Sequence, residues 1–241
     1  MKTKIILKKV DPRSLRESVF ITGFRTIGEV GYLATRHLVL KLGMRRIGFV
    51  TTPRYKDVAF LDEYGVATPF ELFFDDKNKI IVQLNHFLPS QREWADFVKT
   101  TIKWMKEIGV KDSIAIGGLD KRYRTGQESF RWLKTTTSKV ELDSPMIEKQ
   151  LLMVGPLALY TAYSEIEDFP ATILLPYAER DITDPAAAAV AIETINQIYS
   201  INVDVNELYE EARKIEEDIK RQLEAFQKES GRGKSTDRLY M

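Results

Sequence analysis

The sequence predicts an α/β protein: a mostly parallel sheet flanked by helices, with a long C-terminal helix and a flexible tail. Three observations carry that prediction. Short apolar runs closed by glycine or proline alternate with stretches of helical periodicity, as in βαβ units. A strand, helix, strand spacing occupies residues 17–52. Beyond residue 204, apolar residues recur at three- and four-residue intervals on an otherwise charged segment. The expected organisation is a core over residues 1–204, a helix over 205–229 and a tail over 230–241.

In chain order, residues 4–10 alternate weakly and predict an edge strand. Val19, Phe20 and Ile21 form a short buried run closed by Gly23. A turn with Gly23, Gly28 and Gly31 leads into a helix through Leu42, which Gly43 ends. The next strand holds Ile47, Phe49 and Val50. Residues 70–75 and 79–85 flank Asp76, Lys77 and Asn78 as a hairpin. Ser90 and Glu93 have the spacing of a capping box. The helix behind them carries Trp94, Phe97, Val98, Ile102, Met105 and Ile108 as one apolar stripe, up to Gly109. Residues 113–118 predict a buried strand ending in Gly117 and Gly118. Residues 151–154 predict a strand, and Gly155 with Pro156 opens a helix. Residues 172–175 predict a strand ending at Pro176. Asp184 and Pro185 start an Ala- and Ile-rich helix.

The last helix is predicted over residues 205–228, about 35 Å at 1.5 Å per residue. Leu208, Ala212, Ile215, Ile219, Leu223 and Phe226 form a narrow stripe like a coiled-coil seam. It suits packing across the protein's own sheet, or pairing with its twin in a homo-oligomer.

Composition narrows the function classes. The 241 residues are 44% hydrophobic and 29% charged, enough for a real core. With 36 basic and 35 acidic residues the net charge is +1, which disfavours a general nucleic-acid binder. There is no cysteine, so thiolate chemistry and disulfides are excluded. Two histidines, His37 and His86, restrict zinc sites, and both read as hydrogen-bonded structural residues. No metal, cofactor or catalytic residue is expected. No signal peptide is recognised and no apolar run reaches membrane-spanning length, so a cytoplasmic location is expected.

Two stretches suggest ligand binding. The turn of residues 23–31 has the setting of a phosphate cradle, but neither dinucleotide nor Walker spacing. Close helix–sheet packing at Gly28 and Gly31 is the preferred reading. Gly117 and Gly118, with Lys121, Arg122, Tyr123 and Arg124 behind them, lie where an open sheet commonly places a crevice. Together they define the alternative, a nucleotide- or phosphate-binding enzyme, which lacks an evident nucleophile or base.

The chain end makes a different offer. Residues 229–238 contain nothing apolar, yet Leu239, Tyr240 and Met241 follow. An apolar residue and a tyrosine beside a free carboxylate suit a pocket on another protein, with a lysine for the carboxylate. This pattern resembles the docking tail of proteasome activators.

The body adds a second resemblance. The stretch Gly23, Phe24, Arg25, Thr26, Ile27, Gly28, Glu29, Val30, Gly31 is similar to the opening of the second proteasome assembly chaperone family, in its archaeal branch. Gly117 and Gly118, the segment from Val154 to Leu159, and Asp184, Pro185, Ala186, Ala187, Ala188 resemble later elements of that family. The resemblance spans roughly residues 15–215. It implies an α/β sandwich related in topology to nucleoside phosphorylases, with no known catalytic role. It also implies a homo-oligomer, with a tetramer favoured, and an ATP-independent partner of the outer ring of the twenty-S proteasome. Leu239, Tyr240 and Met241 are the docking residues this implies.

Overall fold

The computed structural model describes residues 2–233, with side chains along the last helix as far as residue 225. The first half of the chain comprises β1 (Lys4–Leu7), β2 (Val19–Gly23), α1 (Val30–Lys41), β3 (Arg45–Thr51), β4 (Phe60–Asp62), β5 (Gly65–Ala67), β6 (Phe70–Asp75), β7 (Ile80–Asn85) and α2 (Trp94–Ile108). The second half comprises β8 (Asp112–Ile116), β9 (Leu119–Asp120), β10 (Phe130–Lys134), α3 (Pro156–Ile166), β11 (Ala171–Ala178), α4 (Pro185–Tyr199) and α5 (Asn206–Gly233).

The described residues form a nine-stranded sheet in the order β1-β3-β6-β7-β2-β8-β11-β10, with β9 also beside β11. Its centre is parallel: β7 pairs with β2, β2 with β8, and β8 with β11. Antiparallel pairs close both flanks. Strands buried on both faces need apolar residues at successive positions, and the central strands have them. On β2, Val19 and Ile21 face one layer while Phe20 faces the other. The first layer packs Val30, Ala34 and Leu38 of α1 against Ala188 and Ile192 of α4. The second packs Phe97, Ile102 and Met105 of α2 against Leu157 and Tyr160 of α3. The result is a helix–sheet–helix sandwich, as the sequence predicts.

Several expectations are corrected. The strands β2 and β3 around α1 are not neighbours, because the hairpin of β6 and β7 is inserted between them. Residues 151–154 form no strand. The place beside β11 is filled by β10, a segment the apolar-run reading passed over. Pro176 does not end β11, which continues to Ala178. It lies opposite the interruption at Gly117 and Gly118 between β8 and β9, where a missing N–H costs little. The capping box is not formed either. The Ser90 side chain makes no cap hydrogen bond, and Glu93 Oε1 instead accepts from the Arg54 N–H at 2.6 Å. The last helix starts at Asn206 and runs through Gly233, so residues 230–233, expected in the tail, are helical.

Candidate interaction surfaces

The ends of the parallel strands are where an open α/β sheet holds a ligand. Here polypeptide fills the turn itself. A Cβ on Gly23 would lie 2.3 Å from the Gly31 carbonyl oxygen, and one on Gly31 would lie 2.4 Å from the Ile116 carbonyl oxygen. A Cβ on Gly118 would lie 2.4 Å from the Ile27 carbonyl oxygen. These glycines let three backbone segments touch; they do not frame a phosphate-sized hollow. Gly28 also adopts φ +60°, and its carbonyl accepts from the Asp184 N–H at 2.9 Å.

The basic loop is committed in the same way. Lys121 Nζ lies 3.2 Å from Asp184 Oδ2 and 3.3 Å from Glu179 Oε1. Arg122 holds Asp120 through its backbone N–H, Nε and Nη2, which keeps that carboxyl down at about 2. Arg124 donates to the carbonyls of Gly126 and Gln127.

A buried polar cluster escaped the sequence reading. Glu71 on β6 is fully buried. Its carboxylate accepts from Arg46 Nη1 at 2.8 Å and Tyr64 Oη at 2.6 Å, and lies 3.3 Å from His86 Nε2. His86, just past β7, is buried with the rings of Tyr32 and Phe60 against it. Burial pushes the Glu71 carboxyl up, but the donors His86, Tyr64 and Arg46 outweigh it and hold it below its ordinary value. Burial, then the hydrogen bond to Glu71, drives the Tyr64 phenol far above its usual range. The cluster pins the β4–β5 turn to the sheet. His37 bonds the Asp204 carbonyl at 2.7 Å and ties α1 to the segment before α5. Both histidines therefore have the structural roles expected of them.

The α5 stripe divides along its length. Val205 and Leu208 are buried in the core beside α1 and α4, so Leu208 packs within its own chain and is not available as an interface residue. Ala212 and Ile215 are half-buried. Ile219 is 36% exposed and Leu223 57% exposed, along a groove of about 470 Å³ shared with Ile182 and Pro185. The side chain of Phe226 lies outside the described residues, as do Leu239, Tyr240 and Met241.

Fold and surface together define an α/β sandwich whose described residues offer apolar faces and a long charged helix. Among them there is no metal-holding group of His, Asp and Glu, and no helix is long and apolar enough to cross a membrane. The PAC2 family profile matches residues 20–223, and the chain belongs to that family. The resemblance read from the glycine turns is thus borne out at family level. Uncharacterized protein MJ1210 of Methanocaldococcus jannaschii is 26% identical over 240 residues, covering 94% of this chain and 91% of that protein. Among solved structures, Pyrococcus furiosus PbaA, an archaeal homolog of proteasome-assembly chaperone, superposes with a TM-score of 0.79 at 23% identity. That match covers 99% of this chain and 100% of the other. Pyrococcus furiosus PbaB, an archaeal proteasome activator, gives 0.74 at 22% identity, covering 92% of this chain and 99% of the other.

Proposed function

We propose that this protein is an ATP-independent proteasome-binding protein, acting as activator or assembly chaperone through its C-terminal residues. The observation that carries the reading is the pairing of a PAC2-family body with a chain end of Leu239, Tyr240 and Met241. The similarity in fold to PbaB and PbaA supports it. Tyr240 anchors in a pocket between outer-ring subunits, Leu239 fills an apolar site, and the terminal carboxylate pairs with a lysine. From Lys234 to Met241 the chain extends at most about 29 Å at up to 3.6 Å per residue.

One such end buries little and binds weakly. Several ends on one homo-oligomer gain roughly a hundredfold or more by effective concentration. The stripe of Ala212, Ile215, Ile219, Leu223 and Phe226 is the proposed contact between copies, and a tetramer is the expected assembly. Docking favours an open gate only if the end binds that state better than the closed one.

Co-sedimentation with purified twenty-S proteasome tests the reading. Deleting Leu239, Tyr240 and Met241 should abolish association and leave the native mass per oligomer otherwise unchanged. Undiminished co-sedimentation of the deletion variant would refute it. Association with free outer-ring subunits but not with the finished particle would assign assembly over activation.

A further inference from the structure

The main sheet ends on one side at β1, whose outer edge meets no other strand among the described residues. Its ladder with β3 fixes which backbone groups point outward. The Lys8 N–H donates to the Ile47 carbonyl at 2.7 Å, in the register that sets Ile6 against Phe49 and Lys4 against Thr51. Hydrogen-bonded pairs alternate along an antiparallel ladder, so Lys4, Ile6 and Lys8 turn their backbone groups toward β3. Two contacts agree with this. Thr51 Oγ1 donates to the Lys4 carbonyl at 3.5 Å, and a Cβ on Gly48 would lie 2.5 Å from the Ile6 carbonyl oxygen. Ile5 and Leu7 therefore turn their backbone groups away from the sheet, and no described residue bonds the N–H or carbonyl of either.

The side chains alternate as well. Lys2, Lys4, Ile6 and Lys8 are exposed, while Thr3 is buried and Ile5 and Leu7 are half-buried against the α2 layer. Ile6, 39% exposed, stands opposite the half-buried Phe49. The ion pairs of the described residues include none of Lys2, Lys4, Lys8 and Lys9. Two acids on neighbouring segments are engaged elsewhere. Asp96 of α2 accepts from the Thr3 N–H at 2.8 Å, and Asp11 pairs with Arg13 at 2.9 Å.

The edge thus offers open backbone flanked by lysine, isoleucine and lysine at alternate positions. A second copy is a poor complement to it. Pairing β1 with β1 about a two-fold axis at Ile6 sets Lys4 of one copy against Lys8 of the other, and like charges directly opposite repel. Lysine on an edge strand guards against pairing of that kind. The same lysines select a strand of opposite charge. A phosphate-rich surface would meet the lysines but would leave the Ile5 and Leu7 carbonyls and the Ile6 side chain without partners.

We propose that the outer edge of β1 is a docking site for an extended acidic segment of a partner protein, which adds to the sheet as an antiparallel strand. Its backbone bonds the N–H and carbonyl groups of Ile5 and Leu7. Its side chains follow the pattern acidic, any, apolar, any, acidic. The two carboxylates lie against Lys8 and Lys4, and the apolar residue lies against Ile6 beside Phe49. In strand addition the main chain gives affinity and the alternate side chains give choice.

The test uses the full chain and a fluorescent peptide, Ser-Glu-Thr-Ile-Thr-Glu-Ser, capped at both ends. Saturable binding with a Kd below about 1 mM is expected. Methylating the two threonine amides, which face β1, should weaken binding roughly tenfold or more, and methylating the isoleucine amide, which faces away, should leave it unchanged. Bound peptide should slow amide exchange at Ile5 and Leu7 and not at Ile6. The double variant Lys4→Glu with Lys8→Glu should prefer Ser-Lys-Thr-Ile-Thr-Lys-Ser over the acidic peptide by roughly tenfold. Both lysines are exposed, and an unchanged melting temperature checks that the variant is folded. Absence of saturable binding, equal loss from methylation at either set of amides, or no change of preference in the folded variant would each overturn the proposal. Displacement of the peptide by duplex DNA or by phosphatidylserine vesicles, with no protection at Ile5 and Leu7, would overturn it in favour of a general polyanion surface. None of these readouts contains proteasome, so their failure is distinct from a failure of the proposed function.

Discussion

The strand ends around Gly31 and the outer half of α5 face the same question, whether apolar and backbone surface is covered from within. At Gly31 it is covered completely, since a Cβ there would sit 2.4 Å from a backbone oxygen. On α5 the cover stops between Leu208, 4% exposed, and Leu223, 57% exposed. The comparison teaches where to look for function in this fold. The turn that most resembles a ligand cradle is spent on packing, and the helix that resembles ordinary amphipathic structure has the outer part of its apolar face, at Leu223, left uncovered by the described residues.

Substitutions on each side sharpen the contrast. Gly31→Ala should have the largest effect, because the three atoms nearest the added methyl, within 2.4–2.8 Å, are all backbone and cannot swing away. A loss of more than about 3 kcal/mol is expected, read from the urea midpoint. A loss under about 1 kcal/mol would mean the three backbones are not in contact as described.

Glu71→Gln should cost about 3 kcal/mol, since it removes a fully buried carboxylate from Arg46, Tyr64 and His86. It should also change the acid limb of stability. The folded pKa of Glu71 is depressed, so its contribution is full above about pH 4.3 and is lost as pH falls through the folded value. The variant should therefore show a shallower decline in that acid window. An unchanged acid limb would remove Glu71 from the account.

Along α5 the same chemistry should give unequal results. Leu208→Ala should cost about 2 kcal/mol, and Leu223→Ala less than about 0.5 kcal/mol in chain stability. Ile219→Asp with Leu223→Asp should instead lower the native mass, leaving the melting temperature of the chain nearly unchanged. Equal costs at Leu208 and Leu223 would erase the division of the helix.

The smallest effect is expected at Asp112. Burial raises its carboxyl pKa against the hydrogen bonds from Tyr199 and Ser113. A raised folded value gives stability that is full below about pH 3.9 and lost as pH rises through it. Asp112→Asn should gain on the parent between about pH 4 and 7, by under about 1 kcal/mol. A gain toward acid would reverse the sign and contradict the burial argument.

Much of this architecture is legible in the sequence because its signals are local. Val19, Phe20 and Ile21 mark a strand buried on both faces. Gly109 ends α2 in the left-handed region, and Asp184 caps α4 by accepting from the Ala187 N–H. What stayed hidden depends on distant partners. Residues 151–154 look like a strand until β10 takes the place beside β11. Ser90 and Glu93 look like a capping box until the Arg54 N–H claims the carboxylate. Glu71, Tyr64 and His86 come together only through the β6–β7 pairing and the β4–β5 turn, and no spacing encodes them. Leu239, Tyr240 and Met241, the proposed docking residues, are legible as a motif and lie outside the described residues.

The central claim is that the chain end acts on the twenty-S proteasome. Its most direct test is the rate at which purified proteasome cleaves a fluorogenic peptide, with the full chain and with a chain ending at Arg238. The account predicts stimulation that saturates with full chain and is absent with the shortened one. Equal stimulation by both would contradict it.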